Sequence, residues 1–464
     1  MSPFDEGLLT PVTVGHDESV TDAAFLDALV TAEVALTRGY ALLGVVPAEV
    51  ADEISSSLGW SGAGALCRGH GIDVGELAAA SVAGGNPVIP LVARLKDRVP
   101  ESARVWVHRG ATSQDILDSA LMLLAHRASR RVLASLREVD SALDDFATAH
   151  RGVVAAARTL TQHAVPTTVG LRAANWLRGV RRAIERLEEA VRGLPAQLGG
   201  AGGTLASFVE IAGMPRAASL PAAFASELRL AAPDGPWHTT RWPVTELGDA
   251  LVQALDALGV IAADVATLSR TEIGELAEGS GGGSSAMPQK QNPAASVLVR
   301  SAAIRAPQLG ATLHTAAALA VDERPDGAWH AEWPALRELL RLALGASANA
   351  ASLVAGLRVD ADAVARNLAL THGLIVAERL SVVLGPVIGA ARVKELVAAA
   401  GRGEDLRELV RALPELQPGG AGERIDADAL LDPANYTGLA AHLVDAAVAA
   451  SDDDPSSPPP LEDS

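Results

Sequence analysis

Residues 279–293 read GSGGGSSAMPQKQNP, a glycine-rich stretch with two adjacent hydroxyls and a lysine. Glycine lets the backbone take positive φ and approach a ligand closely, and consecutive N–H groups can then surround an anion. Ser284 and Ser285 add hydroxyls, and Lys290 adds a fixed positive charge. These groups favour a reaction that builds negative charge on a carboxylate. The alternative is a flexible linker before a helix, but the tail MPQKQNP is unlike a linker in composition.

A second candidate site lies in VHRGATSQD at 107–115. Thr112 and Ser113 suit the start of a helix, where free N–H groups attract an anion. The pair therefore predicts either a carboxylate-binding site or a plain helix cap. Arg109 beside it is either a further cation for that carboxylate or a solvated surface charge.

Two more polar residues and one segment each have alternative readings. His163, in RTLTQHAVPTT at 158–168, either contacts an anionic substrate or packs at the start of a helix. Asn86, in a GNP turn, is either a hydrogen-bond donor to substrate or a turn residue. The segment GAWHAEW at 327–333 surrounds a His-x-Glu pair with tryptophans, which favours a structural role over a pocket or an intersubunit contact.

Composition limits the class of protein. The 464-residue chain is 49% hydrophobic but only 3% aromatic, which favours packed helices over a β-sandwich. Its net charge of −18 argues against nucleic acid or an anionic membrane as a partner. The single Cys67 excludes an internal disulfide and fits the cytoplasm. We expect neither a signal peptide nor a transmembrane segment.

The apolar pattern predicts a bundle of long helices. Apolar residues recur at steps of three and four over 166–193, 247–268 and 335–357, and such stripes indicate burial against other subunits as well. Two Gly/Pro-rich segments between about 194 and 244, LPAQLGGAGGTLASF and AAPDGPWHTTRWP, predict loops between helices, and Val105-Trp106-Val107 is the best candidate for a strand. We predict an N-terminal helical domain at 1–106, a central long-helix bundle at 107–357, a small C-terminal helical domain at 358–450 and a disordered acidic tail at 451–464.

Residues 283–293, GSSAMPQKQNP, match every fixed position of the pattern GSSxMPxKxNP, and the chain thereby resembles the fumarase/aspartase superfamily. The resemblance implies an all-α, three-domain fold with a long central helical bundle, and a homotetramer whose active sites are each built from three subunits. It implies a small anionic di- or tricarboxylate substrate. We predict no cofactor and no metal, because the sequence has neither an HxxxH pair nor a Cys/His cluster, a P-loop ending or a credible dinucleotide-binding strand.

The same resemblance assigns roles to residues. Ser284 transfers the proton at carbon, while Lys290 and Asn292 stabilise a doubly negative aci-carboxylate (an enediolate-like intermediate). The predicted substrate-binding residues are Thr112, Ser113, Gln114, Arg109, His163, Gln162, Asn86, Arg324, Ser285 and Met287.

Leu160 points to one branch of the superfamily. It stands where fumarases and argininosuccinate lyases have an acid/base histidine, and leucine cannot transfer a proton. The segments 84–92, 107–123, 160–177 and 327–339 resemble the cycloisomerase branch, which lactonises 3-carboxy-cis,cis-muconate to 4-carboxymuconolactone in protocatechuate breakdown.

Two alternatives use the same scaffold. One is a lyase that eliminates nitrite from nitrosuccinate or, less in keeping with the missing histidine, acts on adenylosuccinate. Arg109, Gln289 and Gln291 leave a nitrosuccinate-type lyase possible, since related enzymes often have His and Arg in place of the two glutamines around the lysine. The other is a catalytically retired scaffold, which the intact Ser284, Lys290 and Asn292 set disfavours.

Overall fold

The computed structural model describes residues 6–279, 282, 283, 287 and 290–449, and most of them are helical. The all-α class is confirmed. The helices, in chain order, are α1 (Asp22–Leu42), α2 (Ala48–Ser57), α3 (Val74–Gly84), α4 (Val88–Lys96), α5 (Ser113–Ala149), α6 (Val169–Arg192), α7 (Ala206–Ala212), α8 (Met214–Leu228), α9 (Trp242–Leu268), α10 (Ala294–Ala318), α11 (Gly327–Ala355), α12 (Ala361–Ala369), α13 (Ala377–Ile388), α14 (Ala390–Gly401), α15 (Leu406–Arg411), α16 (Ala427–Leu431) and α17 (Ala440–Ala449).

Short strands and single 3-10 turns complete the described structure. The strands form three two-stranded antiparallel pairs, β1 (Val154–Thr159) with β2 (Gln162–Thr168), β3 (Leu276–Ala277) with β6 (Arg358–Val359), and β4 (Gly282–Gly283) with β5 (Gln291–Asn292). The 3-10 helices are Pro11–Thr13, Glu18–Val20, Glu101–Trp106, Leu374–Val376, Pro414–Leu416 and Pro433–Tyr436.

The three apolar stripes of the sequence are α6, α9 and α11. In α9, Leu247, Leu251 and Leu255 recur every four residues and each is 0% exposed. Burial of a leucine side chain contributes about 1.5–3 kcal/mol, so a continuous stripe outweighs the entropy cost of fixing a long helix. The predicted long helices are therefore confirmed.

The chain divides into two compact units. The first contains residues 1–137, 182–259 and 298–350, and the second contains 138–181, 260–297 and 351–464. The second unit has its own core, formed by Val376, Leu380, Leu384 and Val410, all of them buried. This is a different partition from the three domains predicted above, and the three-domain division stays a prediction.

One local prediction is wrong. Val105 and Trp106 belong to the 3-10 helix that follows Pro100, and the Trp106 ring packs edge-on against Tyr40, so a tertiary contact outweighs the local strand preference. The two predicted Gly/Pro-rich loops are confirmed over 194–205 and 231–241, and α7 and α8 lie between them.

The β1–β2 hairpin has no counterpart among the sequence predictions. Its two turn residues, Leu160 and Thr161, have φ of 46° and 70°, a conformation usually taken by glycine or asparagine. His163 lies in β2 opposite Arg158, so the reading of His163 as a helix-start residue is wrong. Neither turn residue is of a type that indicates such a turn, so the sequence does not predict the hairpin.

By length and composition alone, α9 could cross a bilayer, with a mean hydropathy of 1.6 in its most apolar window. The pair Ala361–Ala369 and Leu374–Ile388, bent by 74°, passes the same test. This is weak evidence for a membrane span, since the core helix of a folded protein also passes, and the leucine stripe of α9 is buried.

Cys67 lies between α2 and α3 and is 0% exposed. Its N–H donates to Thr31 Oγ1 at 2.8 Å. Burial raises the pKa of the Cys67 thiol to about 12, so the thiol stays protonated and unreactive near neutral pH.

Candidate active site

The predicted site residues fall into two sets, one in each compact unit. The first unit holds Asn86, Arg109, Thr112, Ser113, Gln114 and Arg324. The second unit holds Gln162, His163, Met287, Lys290 and Asn292.

In the first unit, Asp115 organises the start of α5. Its carboxylate accepts hydrogen bonds from the backbone N–H groups of Thr112 (3.0 Å), Gly199 (2.8 Å) and Gly200 (2.9 Å). The same carboxylate lies 2.8 Å from His238 Nε2. Asp115 therefore connects the first turn of α5 to the glycine-rich loop 199–203.

The structure brings Thr112 and Arg324 together. Arg324 Nη2 donates to Thr112 Oγ1, and it also donates to the Ala201 carbonyl at 3.3 Å. Arg324 is exposed, whereas Thr112 is buried and Ser113, the first residue of α5, is half-buried. A guanidinium, a hydroxyl and the N-terminus of a long helix thus lie side by side, an arrangement suited to a carboxylate.

Gln114 faces the interior instead of the surface. It is 0% exposed, and its Nε2 donates to Asp118 Oδ2 at 3.2 Å and to the His238 carbonyl at 2.9 Å. The Gln114 side chain therefore helps to hold the first turns of α5 in place.

A buried ion network lies next to Gln114. Arg241 donates to Asp118 at 2.7 and 3.1 Å and to Glu332, and Trp329 Nε1 donates to Asp118 Oδ1 at 2.9 Å. Two carboxylates thus share one guanidinium. Asp118 accepts more hydrogen bonds than Glu332 does. Burial raises the pKa of the Glu332 carboxyl to about 7. The positive charge of Arg241 opposes this increase, and the negative charge of Asp118 adds to it. Trp329 and Glu332 have a structural role here, as the sequence favoured.

Asn86 and Arg109 have local partners. Asn86 Oδ1 accepts from the N–H groups of Val88 (3.1 Å) and Ile89 (3.3 Å) at the start of α4. The Arg109 guanidinium lies 5.0 Å from the centre of the Trp106 ring, a cation–π contact. These contacts support the turn reading of Asn86 and do not test substrate binding by either residue.

In the second unit, the glycine-rich signature is described only in part. Ser284, Ser285 and Gln289 lie outside the described residues. Lys290 is exposed, and its N–H donates to the Met287 carbonyl at 3.0 Å. Asn292 is half-buried in β5 and pairs with Gly282.

Glu278, just before this signature, is hydrogen-bonded to Ala295 and Ser296, just after it. Its carboxylate accepts from Ala295 N–H (3.1 Å), Ser296 N–H (2.8 Å) and Ser296 Oγ (2.7 Å). Glu278 precedes the glycines, and the two donor residues, Ala295 and Ser296, lie in the first turn of α10. A carboxylate at a helix N-terminus is favourable, so the segment 279–293 is closed at its base by a cap on α10.

The hairpin of the second unit holds His163 beside a charged cluster. Arg158 binds Glu275 through hydrogen bonds of 3.1 and 2.5 Å, and Asn367 Nδ2 donates to the same carboxylate at 2.9 Å. Partial burial and the positive charge of Arg158 lower the pKa of the His163 imidazole, which favours its neutral form. Gln162, the neighbouring residue, is exposed.

Sequence reasoning missed three residues that organise the site, namely Asp115, His238 and Glu278. Asp115 had a signal, since it lies three residues after Thr112, the spacing of a capping box. His238 is 123 positions from Asp115 and Glu278 is 18 positions from Ser296, and no local pattern connects either pair. Within the described ranges, no group of three or more His, Cys, Asp or Glu residues could hold a metal ion.

Comparison with known proteins identifies the family. A family model described as a lyase matches residues 15–307. The chain is 45% identical to the nitrosuccinate lyase of Streptomyces davaonensis over 464 residues, covering 97% of this chain and 95% of that protein. It is 41% identical to the 3-carboxy-cis,cis-muconate cycloisomerase of Pseudomonas aeruginosa over 441 residues, covering 92% of each chain.

A solved structure agrees with these relatives. The crystal structure of the 3-carboxy-cis,cis-muconate lactonizing enzyme from Pseudomonas putida superposes with a TM-score of 0.83 at 34% identity, covering 92% of this chain and 94% of that one. The chain therefore belongs to this lyase family, within the fumarase/aspartase superfamily, and it is an enzyme.

Proposed function

We propose that the protein lactonises 3-carboxy-cis,cis-muconate through an aci-carboxylate intermediate. The observation that carries the proposal is the intact GSSAMPQKQNP signature in a chain 41% identical to a cycloisomerase of known reaction over nearly its whole length. The absence of a histidine at Leu160 and the segment GAWHAEW support this branch over fumarases and argininosuccinate lyases. The protein would then serve in the breakdown of protocatechuate.

The reaction moves electrons toward one carboxylate. Another carboxylate of the substrate adds across a carbon–carbon double bond and closes a five-membered lactone. The electron pair of that bond passes to the carboxylate conjugated to it and gives the aci-carboxylate, which is then protonated at carbon. No atom is gained or lost. The hardest step is stabilising the extra negative charge of the aci-carboxylate. Each well-placed hydrogen-bond donor contributes about 3–4 kcal/mol to that stabilisation.

Residues of the signature take the reacting end of the substrate. Lys290 and Asn292 stabilise the aci-carboxylate together with the N–H groups of the glycines, and Ser284 transfers the proton at carbon. A serine hydroxyl needs donors and a positive charge around its oxygen for this role, which is why a lysine six residues further on supports the assignment. Ser285 and Met287 are proposed as neighbouring substrate contacts.

The first unit takes a second carboxylate of the substrate. Thr112, Ser113 and Arg324 are proposed to bind it, and the contact between Thr112 and Arg324 supports the assignment. The remaining predicted substrate contacts stay predictions, namely Arg109, Gln114, Asn86, Gln162 and His163. No cofactor is required for this chemistry.

Elimination of nitrite from nitrosuccinate is the second candidate. The specific observation in its favour is the 45% identity to a nitrosuccinate lyase across 97% of this chain. Both reactions pass through the same type of intermediate. In the elimination, a proton leaves the carbon next to one carboxylate, the C–N bond breaks and the electron pair departs with nitrite.

A two-substrate assay decides between them. We expect 3-carboxy-cis,cis-muconate to lose its diene absorbance in the presence of the enzyme, with nitrosuccinate and adenylosuccinate as comparators. Release of nitrite without turnover of the muconate would replace the first proposal with the second. Turnover of none of the three would contradict both and support a retired scaffold.

The Ser284→Ala substitution tests the proton donor. We expect kcat to fall roughly a thousandfold or more with the fold unchanged, because alanine has no hydroxyl to transfer the proton; Ser285 is the second-ranked candidate for this role. Steady-state kinetics and circular dichroism measure the two quantities. Ser301→Ala, at an exposed position of α10, is the matched control and keeps wild-type turnover. Near-wild-type turnover of the Ser284 variant would remove this assignment.

We further propose that the enzyme is a cytoplasmic homotetramer with active sites shared between subunits. Exposed apolar side chains on α9 and α10, among them Val260 (57% exposed) and Ile304 (70% exposed), support an assembly that covers them. Light scattering should therefore give four times the mass of the chain, and a monomer would contradict this proposal.

A further inference from the structure

A buried carboxylate–imidazole pair lies behind the proposed carboxylate-binding site of the first unit. We propose that Asp115 and His238 form a positioning pair, which holds the start of α5 and the loop 199–203 in the geometry that binds the substrate carboxylate. This proposal rests on the proposed role of Thr112 and Arg324.

Asp115 has a complete set of hydrogen-bond donors. It is 0% exposed, and its two oxygens accept three backbone N–H groups, from Thr112, Gly199 and Gly200. His238 Nε2, at 2.8 Å, is the one side-chain donor of the set. A carboxylate oxygen only accepts, so Nε2 carries the proton in this contact. A buried carboxylate that loses one donor is strongly disfavoured, which makes the arrangement depend on His238.

His238 is itself fixed from several sides. It is 4% exposed, and its carbonyl accepts from Gln114 Nε2 at 2.9 Å. A Cβ atom on Gly199 would lie 2.8 Å from His238 Cε1, so only glycine leaves room for the ring. The preceding Trp237 donates its backbone N–H to Gln197 Oε1 at 3.0 Å, and its Nε1 donates to the Ala196 carbonyl at 3.0 Å. The imidazole therefore has one available position.

The pair controls both partners of Arg324. Thr112 precedes α5 and is held through its N–H by Asp115, while Ala201 follows the two glycines held by the same carboxylate. Arg324 Nη2 donates to Thr112 Oγ1 and to the Ala201 carbonyl. Without the His238 donor, these two acceptors lose their common anchor, and the guanidinium loses its orientation toward an anion. Lys290 and Asn292, which are proposed to stabilise the intermediate, belong to the other unit.

The expected result is a defect in binding more than in turnover. For His238→Leu we expect KM to rise about tenfold or more while kcat changes less than about threefold, since a group that positions a binding site contributes to substrate and transition state alike. His238→Gln keeps an amide N–H that can reach Asp115, and we expect it to restore most of the lost affinity. His314→Leu is the matched control, because His314 forms a similar 3.0 Å contact with Asp249 but is exposed, and its KM stays at the wild-type value.

Calorimetric titration with succinate keeps this test separate from the proposed reaction. Weaker succinate binding by the leucine variant, with recovery in the glutamine variant, supports the pair even if the wild-type enzyme turns over none of the assayed substrates. A folded leucine variant with wild-type KM and wild-type succinate affinity would overturn the proposal, as would a fall in kcat at unchanged KM.

Folding of the variants is checked by circular dichroism. If His238→Leu does not fold, His238→Met takes its place, because methionine is an unbranched side chain without a donor. If neither variant folds but His238→Gln folds and binds succinate with wild-type affinity, the pair has a purely structural role. That outcome would overturn the proposal.

Discussion

A hydroxyl and a guanidinium separated by 212 positions in the chain meet at the first turn of α5. Thr112 was recognisable from the sequence because helix caps are local patterns. Its contact with Arg324 was not, since tertiary packing alone decides which distant residue reaches a cap. The same holds for His238, whereas Asp115 could have been found by its spacing. At the scale of residues, the sequence thus predicted candidates and the structure supplied their partners.

Substitution of Arg324 tests the proposed site in the first unit. For Arg324→Met we expect KM to rise roughly ten- to a hundredfold, because a charge-assisted hydrogen bond to a carboxylate contributes about 1.5–3 kcal/mol. Steady-state kinetics with the substrate that the enzyme accepts measure the change. Arg305→Met is the control, since Arg305 pairs with Glu338 on the surface at 2.6 Å. Unchanged KM in the Arg324 variant would place the carboxylate elsewhere.

At the scale of elements, the helices followed from periodicity and the hairpin did not. Apolar side chains at steps of three and four specify a long buried helix regardless of context, so α6, α9 and α11 were predictable. The β1–β2 hairpin turns on Leu160 and Thr161, which take positive φ without glycine or asparagine. Surrounding contacts, such as that of Arg158 with Glu275, hold this turn, and a local pattern cannot anticipate them.

The cap on α10 gives a prediction at this scale. Glu278→Ala should lower the free energy of unfolding by about 1–2 kcal/mol, since three donors in the first turn of α10 lose their acceptor. It should also lower kcat, because the cap closes the base of the segment that carries Lys290 and Asn292. Denaturant unfolding and kinetics measure the two effects. Glu272→Ala, at an exposed position before β3, serves as control. Wild-type kcat despite reduced stability would separate the cap from catalysis.

For the whole molecule, the superfamily was predictable from one long motif, and the helical class was predictable from the overall composition. The buried network of Asp118, Arg241 and Glu332 was not, since its members come from three distant segments and each looks like an ordinary charged residue in the sequence. Networks of this kind affect global stability, because removing water from several charges at once is costly unless each is well paired.

The network gives the unfolding free energy a pH dependence. Glu332 binds its proton more tightly in the folded protein, with a pKa of about 7 against an ordinary 4.5. The stability that the folded protein gains from this tighter proton binding is therefore fully present below about pH 4.5 and is lost as pH rises through about 7. Relative to Glu332→Gln, we expect the wild-type protein to lose on the order of 2 kcal/mol of unfolding free energy over this range.

Denaturant unfolding at several pH values measures this difference. Glu338→Gln on the same helix is the control, because Glu338 is partly exposed and pairs with Arg305 and Arg341 instead of with the buried network. A difference between wild type and Glu332→Gln that does not vary with pH would show that Glu332 stays ionised in the folded protein.

The buried thiol of Cys67 has a practical consequence for spectroscopy. It is the chain's only cysteine, and its protonated, enclosed state makes it inert to maleimide reagents in the native protein. Met287, within the signature, is 43% exposed. Met287→Cys therefore introduces one reactive sulfur against a silent background. A single dye attached there would report, in real time, how the glycine-rich segment responds when substrate arrives.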